Sequence, residues 1–283
     1  MKFVSFKQEN KKSWGILEGD TIVDLGAIRL VGGASLGESM RRNLVPLALD
    51  LRDTAPTVNR ASVELLPPVT DAGKIICVGL NYADHIAEMN RPTPEFPVIF
   101  TRFNDSLVGD GEALVAPTNS MKFDFEGEMA VVIGSTVRHA TREEAQAAVF
   151  GYSVFNDGSI RDYQRHTHQF APGKNFPKSG SFGPAIVTPD EIDDLGSKRI
   201  TTKVNDVVVQ DSTLDQLIFS VEDLIIYCSE WTTLNPGDVI VTGTPGGVGD
   251  GRDPQLWLFP GDVVEVEVEG IGRLVNPVIE ERS

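Results

Sequence analysis

The chain has 283 residues, 41% hydrophobic and 23% charged, an ordinary globular composition with room for one large domain or a small one plus a large one. A formal net charge of −16 excludes nucleic acid and an anionic membrane surface as main partners, but not a small anionic substrate held in a local basic pocket. Cys77 and Cys228, each inside an apolar run, make neither a disulfide framework nor a zinc site, no apolar run approaches the ~20 residues of a membrane span, and Met1 to Phe6 lacks a signal-peptide core, so a cytoplasmic location is expected.

Residues 1–66 read as a small N-terminal α/β unit. Short strands are expected at Phe3 to Phe6, Trp14 to Glu18 and Thr21 to Leu25, the last two joined in a hairpin at Gly19-Asp20. A helical pattern follows from Leu36 to Leu51, interrupted by Pro46. Pro67-Pro68 marks a boundary, and residues 72–283 form the second unit.

Beyond the boundary, short strands are expected at Lys74 to Gly79, Pro97 to Thr101, Met129 to Gly134, Val149 to Phe155, Ile200 to Val204, Val207 to Gln210, Val239 to Thr242 and Val263 to Val268. Asn205-Asp206 reads as a tight turn. Thr141 with Glu144 makes a capping box for one helix, and Ser220 is the N-cap of another running to Trp231. Many strands with scattered helices define a β-dominated α+β domain rather than a doubly wound sheet.

The chemistry concentrates in a few places. In Asp124-Phe125-Glu126-Gly127-Glu128 an extended chain would point three carboxylates one way. Two like charges ~4 Å apart repel by about 4 kcal/mol at an effective dielectric near 20. Solvent, a basic partner or a hard divalent cation (Mg2+, Ca2+ or Mn2+ rather than zinc) would relieve that repulsion. His85 and Glu88, at helical i,i+3 spacing after a buried strand, make either a surface ion pair or a base oriented by a carboxylate. Asp157 ends another apolar strand, where it is either a further metal carboxylate or, like Asn156, a helix cap. Arg161 and Gln164 follow it at i,i+3, suited to holding a substrate carboxylate unless Arg161 is simply solvated. Lys174 lies in a stretch without periodicity, and Thr242 to Gly249 forms a Gly-rich turn after a buried strand, able to offer N–H groups and a hydroxyl to an anion. That turn lacks the ending of a phosphate loop, and His139, His166 and His168 show no metal spacing.

Taken in order, these blocks resemble the fumarylacetoacetate hydrolase family over about residues 72–278. The resemblance rests on Gly79-Leu80-Asn81-Tyr82 with His85 and Glu88, Pro97 to Phe100, Asp124 to Glu128, Asn156-Asp157 with Arg161 and Gln164, and Lys174 nine residues before Gly183-Pro184. Leu234 to Asp238, Thr242 to Gly249 and Gly270 to Pro277 complete it. It implies a mixed β-sandwich or roll catalytic domain, a homodimer, and Mg2+ or Mn2+ (Ca2+ in some crystals) held by Glu126, Glu128 and Asp157. It further implies that His85 and Glu88 activate water, that Lys174 is catalytic, that Tyr82, Arg161 and Gln164 line the substrate pocket, and that Thr244 contacts the substrate carboxylate.

The expected reaction is metal-dependent hydrolysis of a C–C bond in a 2,4-dioxo acid of the acylpyruvate type, releasing pyruvate. The alternatives are an oxaloacetate-type decarboxylase or 2-hydroxy-dienedioate isomerase sharing the metal-enolate site, and then a non-catalytic ligand-binding member. Arg102 stands where the family usually has Lys, and Pro177 and Ser179 where it often has Asp and Phe. Together with Lys178 these positions are expected to border the pocket.

Overall fold

The computed structural model describes residues 1–83 and 94–282. The expected N-terminal strands form as β1 (Lys2–Gln8), β2 (Lys11–Glu18) and β3 (Thr21–Val23), with Glu18 opposite Thr21 across the hairpin. Pro46 divides the helical stretch into α1 (Leu36–Arg41), capped by Ser35, and α2 (Val45–Asp50), where Pro46 sits in the first turn and costs no hydrogen bond. Two short strands close this part, β4 (Thr57–Asn59) and β5 (Glu64–Leu66).

The remaining strands are β6 (Ile75–Gly79), β7 (Val98–Thr101), β8 (Leu107–Val108), β9 (Leu114–Ala116), β10 (Phe123–Asp124), β11 (Gly127–Ile133), β12 (Val149–Asn156) and β13 (Ser159–Ile160). They continue as β14 (Gly180–Val187), β15 (Arg199–Val204), β16 (Val207–Thr213), β17 (Val239–Val241), β18 (Val263–Val268) and β19 (Gly272–Glu280). The helices among them are α3 (Arg142–Ala147), α4 (Arg161–Gln164), α5 (Ala171–Lys174) and α6 (Val221–Trp231). The expected capping box opens α3 at Thr141, and the expected N-cap Ser220 opens α6, where Asp223 completes a second box.

The main sheet has the order β4-β3-β2-β1-β14-β12-β11-β17-β6-β7, with β5 and β8 branching from it. A second sheet runs β16-β15-β18-β19-β9, and β10 pairs with β13. The chain is thus β-dominated α+β. Alternation along β11 distributes its side chains to two cores. Met129, Val131 and Ile133 join Ile76, Val78 and the second sheet's Val264, Val266 and Leu274, with Leu224 and Ile225 of α6 beside them. Ala130 and Val132 join Cys77, Phe155 and Phe182, together with Trp14, Leu36 and Val45 of the N-terminal part. The parallel pair β17 and β6 ends beside the start of β11 and the end of β12, which brings four chain segments to one place.

Candidate functional site

Glu126 and Glu128 enter that place from the start of β11, and Asp157 from the end of β12. All three are buried, and one oxygen of each lies within 4.8 Å of the others. Asp124 does not share this group, contrary to the expectation of one acidic strand face. β10 and β11 belong to different sheets, so the chain bends at Phe125-Glu126 and the alternation breaks. Asp124 instead accepts from the backbone N–H of Gly249 at 2.8 Å and Asp250 at 2.9 Å, and from Arg161 Nε at 2.8 Å.

Three buried cations hold the carboxylates. Arg161 opens α4 and pairs with Glu126 at 2.6 Å as well as with Asp124, while its Nη1 donates to Gln164 Oε1 at 3.0 Å. Lys174, the last residue of α5 rather than part of an irregular loop, donates to Asp157 Oδ2 at 2.6 Å and to Glu126 Oε2. Its ammonium also lies 5.0 Å from the centre of the Phe100 ring. Arg102 reaches Asp157 Oδ1 from behind at 2.6 Å. Burial alone would lower the Lys174 pKa, but Asp157 and Glu126 outweigh it and raise it, so the ammonium stays charged. Glu128 is pushed well above the usual carboxylate range, first by burial and then by Asp157 and Glu126. Burial likewise raises Asp124, against the pull of Arg161.

The Gly-rich turn after β17 binds anions, as its sequence predicts, but the anions it holds belong to the protein. Gly243 N donates to Glu128 Oε2 at 2.6 Å, and the end of the turn holds Asp124. Gly243 has φ 101°, and a Cβ there would lie 2.9 Å from Asn81 Cβ and 3.0 Å from Val78 O. Thr244 Oγ1 donates to Gly127 O at 3.0 Å and accepts from Gln210 Nε2 at 2.8 Å.

An open cleft over these groups is lined by Glu126, Glu128, Arg161, Gln164, Lys174 and Thr244, with Phe100, Phe170 and Arg165 around them. Arg165, Phe100 and Phe170 were not expected in the site. Arg165 follows the Arg161/Gln164 pair by one residue, the only local hint; it pairs with Asp250 at 3.1 Å through Nη1 and is half-exposed. Tyr82 is placed elsewhere. Asn81 bonds Thr242 O at 2.8 Å and both polar backbone atoms of Phe219, and Tyr82 beside it is buried in a bridge with Leu217 and is not among the residues lining the cleft. Of Arg102, Pro177, Lys178 and Ser179, expected at the border of the pocket, none lines the cleft itself, and only the first and last lie against it. Arg102 and Ser179 are buried beneath it, Lys178 pairs with Glu112 at the surface, and Pro177 edges a separate apolar groove. His85 and Glu88 lie outside the described residues.

The donor set is all oxygen and anionic, and it already draws a cation, the Lys174 ammonium, between two of its members. Such a cradle fits Mg2+ or Mn2+ better than a thiophilic metal. A mixed sheet with an oxygen-only cation cradle under a small cleft is the layout of an enzyme-like pocket able to hold a hard metal ion.

Comparison with known proteins places the chain. Residues 74–279 match the family model described as fumarylacetoacetate (FAA) hydrolase C-terminal, and residues 1–68 match one described as Rv2993c-like, N-terminal. Among relatives, mitochondrial oxaloacetate tautomerase Fahd2a of Rattus norvegicus is 40% identical over 265 residues, covering 92% of this chain and 85% of that one. The 2,4-didehydro-3-deoxy-L-rhamnonate hydrolase of Sphingomonas sp. (strain SKA58) is 37% identical, covering 100% and 97%. Among solved structures, fumarylacetoacetate hydrolase from Exiguobacterium antarcticum superposes with a TM-score of 0.86 at 37% identity, covering 99% and 100%. Maleylpyruvate hydrolase from Sphingobium sp. SYK-6, solved with manganese(II) and pyruvate, gives 0.81 at 25% identity, with full coverage of both chains. The chain belongs to the fumarylacetoacetate hydrolase family, and its named relatives are enzymes of small keto acids. No helix among the described residues is long and apolar enough to cross a membrane.

Proposed function

We propose that this protein is a metal-dependent enzyme of small 2-oxo acids that works through their enol form, with keto–enol tautomerisation of oxaloacetate as its reaction. The observation that carries the reading is the buried Lys174 ammonium seated between Glu126 and Asp157 at the floor of the cleft. In enolisation the C3–H bond pair becomes the C2=C3 double bond as the C2=O π pair moves onto the oxygen, so a fixed cation at that oxygen stabilises the charge that develops. A divalent cation held by Glu126, Glu128 and Asp157 would supply Lewis acidity at the substrate's carboxylate and 2-oxo oxygens.

The chain's own groups do the rest. Lys174 would turn its third N–H, which makes only a long 3.4 Å contact with Asp157 O, to the developing enolate oxygen. Arg161 occupies Gln164 Oε1, which leaves the Gln164 amide nitrogen as the donor for a substrate carboxylate. His85, with Glu88 as the partner the sequence suggests, would take the C3 proton. The 40% identity to an oxaloacetate tautomerase over most of both chains supports this choice of reaction.

Hydrolytic cleavage of an acylpyruvate is the second reading, favoured by the full-length similarity to a hydrolase and by the pyruvate held in a structural neighbour. There His85 would take its proton from water, and the leaving fragment would be the pyruvate enolate. One experiment tests both. Enol-to-keto relaxation of oxaloacetate is followed by ultraviolet absorbance, and pyruvate release is measured from a panel of acylpyruvates, each with Mg2+ or Mn2+ and with chelator. Metal-dependent acceleration of relaxation without pyruvate release from the panel is the expected result. Pyruvate release that far outpaces tautomerisation would replace the first reading with the second. Neither activity in the metal-loaded protein would overturn both.

A further inference from the structure

We infer that Arg102 is a positioning residue for this centre: by occupying Asp157 Oδ1 it leaves that ligand a single oxygen, Oδ2, and so favours Mg2+ or Mn2+ over Ca2+. The inference rests on the reading of Glu126, Glu128 and Asp157 as metal ligands.

Arg102 follows β7 directly, and its side chain is fully buried. Every one of its donors has a partner. Nη1 donates to Asp157 Oδ1 at 2.6 Å and Gly158 O at 2.9 Å. Nη2 donates to Ser179 Oγ at 2.8 Å and Ser106 O at 3.4 Å, and Nε to Ser106 Oγ at 3.2 Å. Five N–H groups meeting five acceptors fix the plane of the guanidinium, and with it Asp157 Oδ1, which accepts from Nη1. The space is kept open for it: a Cβ on Gly180 would lie 2.6 Å from Nη2 and 2.8 Å from Cζ.

The other oxygen, Asp157 Oδ2, faces Lys174 and the acidic group. An aspartate gripped in this way cannot rotate to offer both oxygens to one ion. Ca2+ accepts six to eight ligands and readily takes carboxylates in bidentate fashion, whereas Mg2+ demands a tight octahedron of single oxygens. A lysine at this position has three donors on a flexible stem, so it would supply the charge without the fork.

The test is Arg102→Lys in the full-length protein. Mn2+ affinity is titrated by electron paramagnetic resonance, Ca2+ is measured by competition, and the metal-free protein is melted. The expected variant melts close to wild type without metal, but binds Mn2+ ~10-fold more weakly, within the range typical of lost outer-shell partners. It also shows an altered bound-Mn2+ spectrum and a smaller preference for Mn2+ over Ca2+. If wild type binds Mn2+ and the variant matches it in affinity, spectrum and preference, the positioning role is overturned while the metal centre stands. If wild type binds no Mn2+, the metal reading itself fails. Should Arg102→Lys not fold, Ser179→Ala loosens the same fork and must reduce the Mn2+ preference, and a wild-type preference in that variant overturns the inference.

Discussion

A hydroxyl has one proton to give, and the proton of Thr244 is already committed. Gln210 Oε1 accepts from the backbone N–H of Gly127 at 2.9 Å, which orients the amide so that Nε2 donates to Thr244 Oγ1 and to Pro245 O. Thr244 therefore donates to Gly127 O and has only an acceptor lone pair left for the cleft. A substrate carboxylate cannot be bound by an acceptor, so the sequence-based role for this hydroxyl does not follow from its surroundings. Thr244→Val is expected to leave KM within about twofold. Its penalty falls on stability, about 1–3 kcal/mol, because Gln210 and Gly127 lose a partner in a buried site. Urea unfolding and steady-state kinetics separate the two effects. A tenfold rise in KM with unchanged stability would return the hydroxyl to the substrate.

At the scale of elements, the turn after β17 is where backbone conformation and site chemistry meet. Gly243 holds its left-handed conformation so that its N–H reaches Glu128, and a residue with a Cβ pays about 1–2 kcal/mol for that conformation alone. With Asn81 and Val78 closing the remaining space, Gly243→Ala should lower unfolding free energy by at least about 2 kcal/mol and weaken Mn2+ binding in parallel. Unchanged values for both would show that the turn adapts freely.

This turn, the capping box of α3, the N-cap of α6 and the apolar run from Met129 to Ile133 in β11 were all legible in the sequence, because each is set by residues close together in the chain. β14 and β19 were not. Pro184 interrupts the first, in a strand whose pairing with β12 is irregular between Tyr152 and Val154, where a missing N–H is tolerated. Pro277 interrupts the second on its exposed face. The grouping of Glu126, Glu128 and Asp157 followed from the resemblance, whereas spacing alone put Asp124 with the two glutamates. The grip of Arg102 on Asp157 could not, since 55 residues separate them and only the sheet brings them together.

At the scale of the whole molecule, the boundary read at Pro67-Pro68 divides the chain but not the sheet. β1 pairs with β14 through Lys2–Val187 and Phe3–Ile186, and β5 pairs with β1, so the N-terminal strands extend the main sheet. The core follows the same logic, for Trp14, Leu36, Met40 and Val45 pack in one cluster with Cys77, Phe155, Phe182 and Ile186. Removing residues 1–66 would bare β14 and uncover that face. Burial of a large apolar side chain is worth about 1.5–3 kcal/mol, so exposing Phe155, Phe182 and Ile186 alone approaches the 5–15 kcal/mol that typically separates folded from unfolded chains. The bared edge would also invite pairing with other chains. A fragment of residues 67–283 is therefore expected to aggregate or to melt without a cooperative transition, although it retains every carboxylate and cation of the site. A soluble fragment with a wild-type melting temperature and Mn2+ affinity would show instead that the N-terminal part is an independent domain, and that the shared sheet contributes little to holding the centre together.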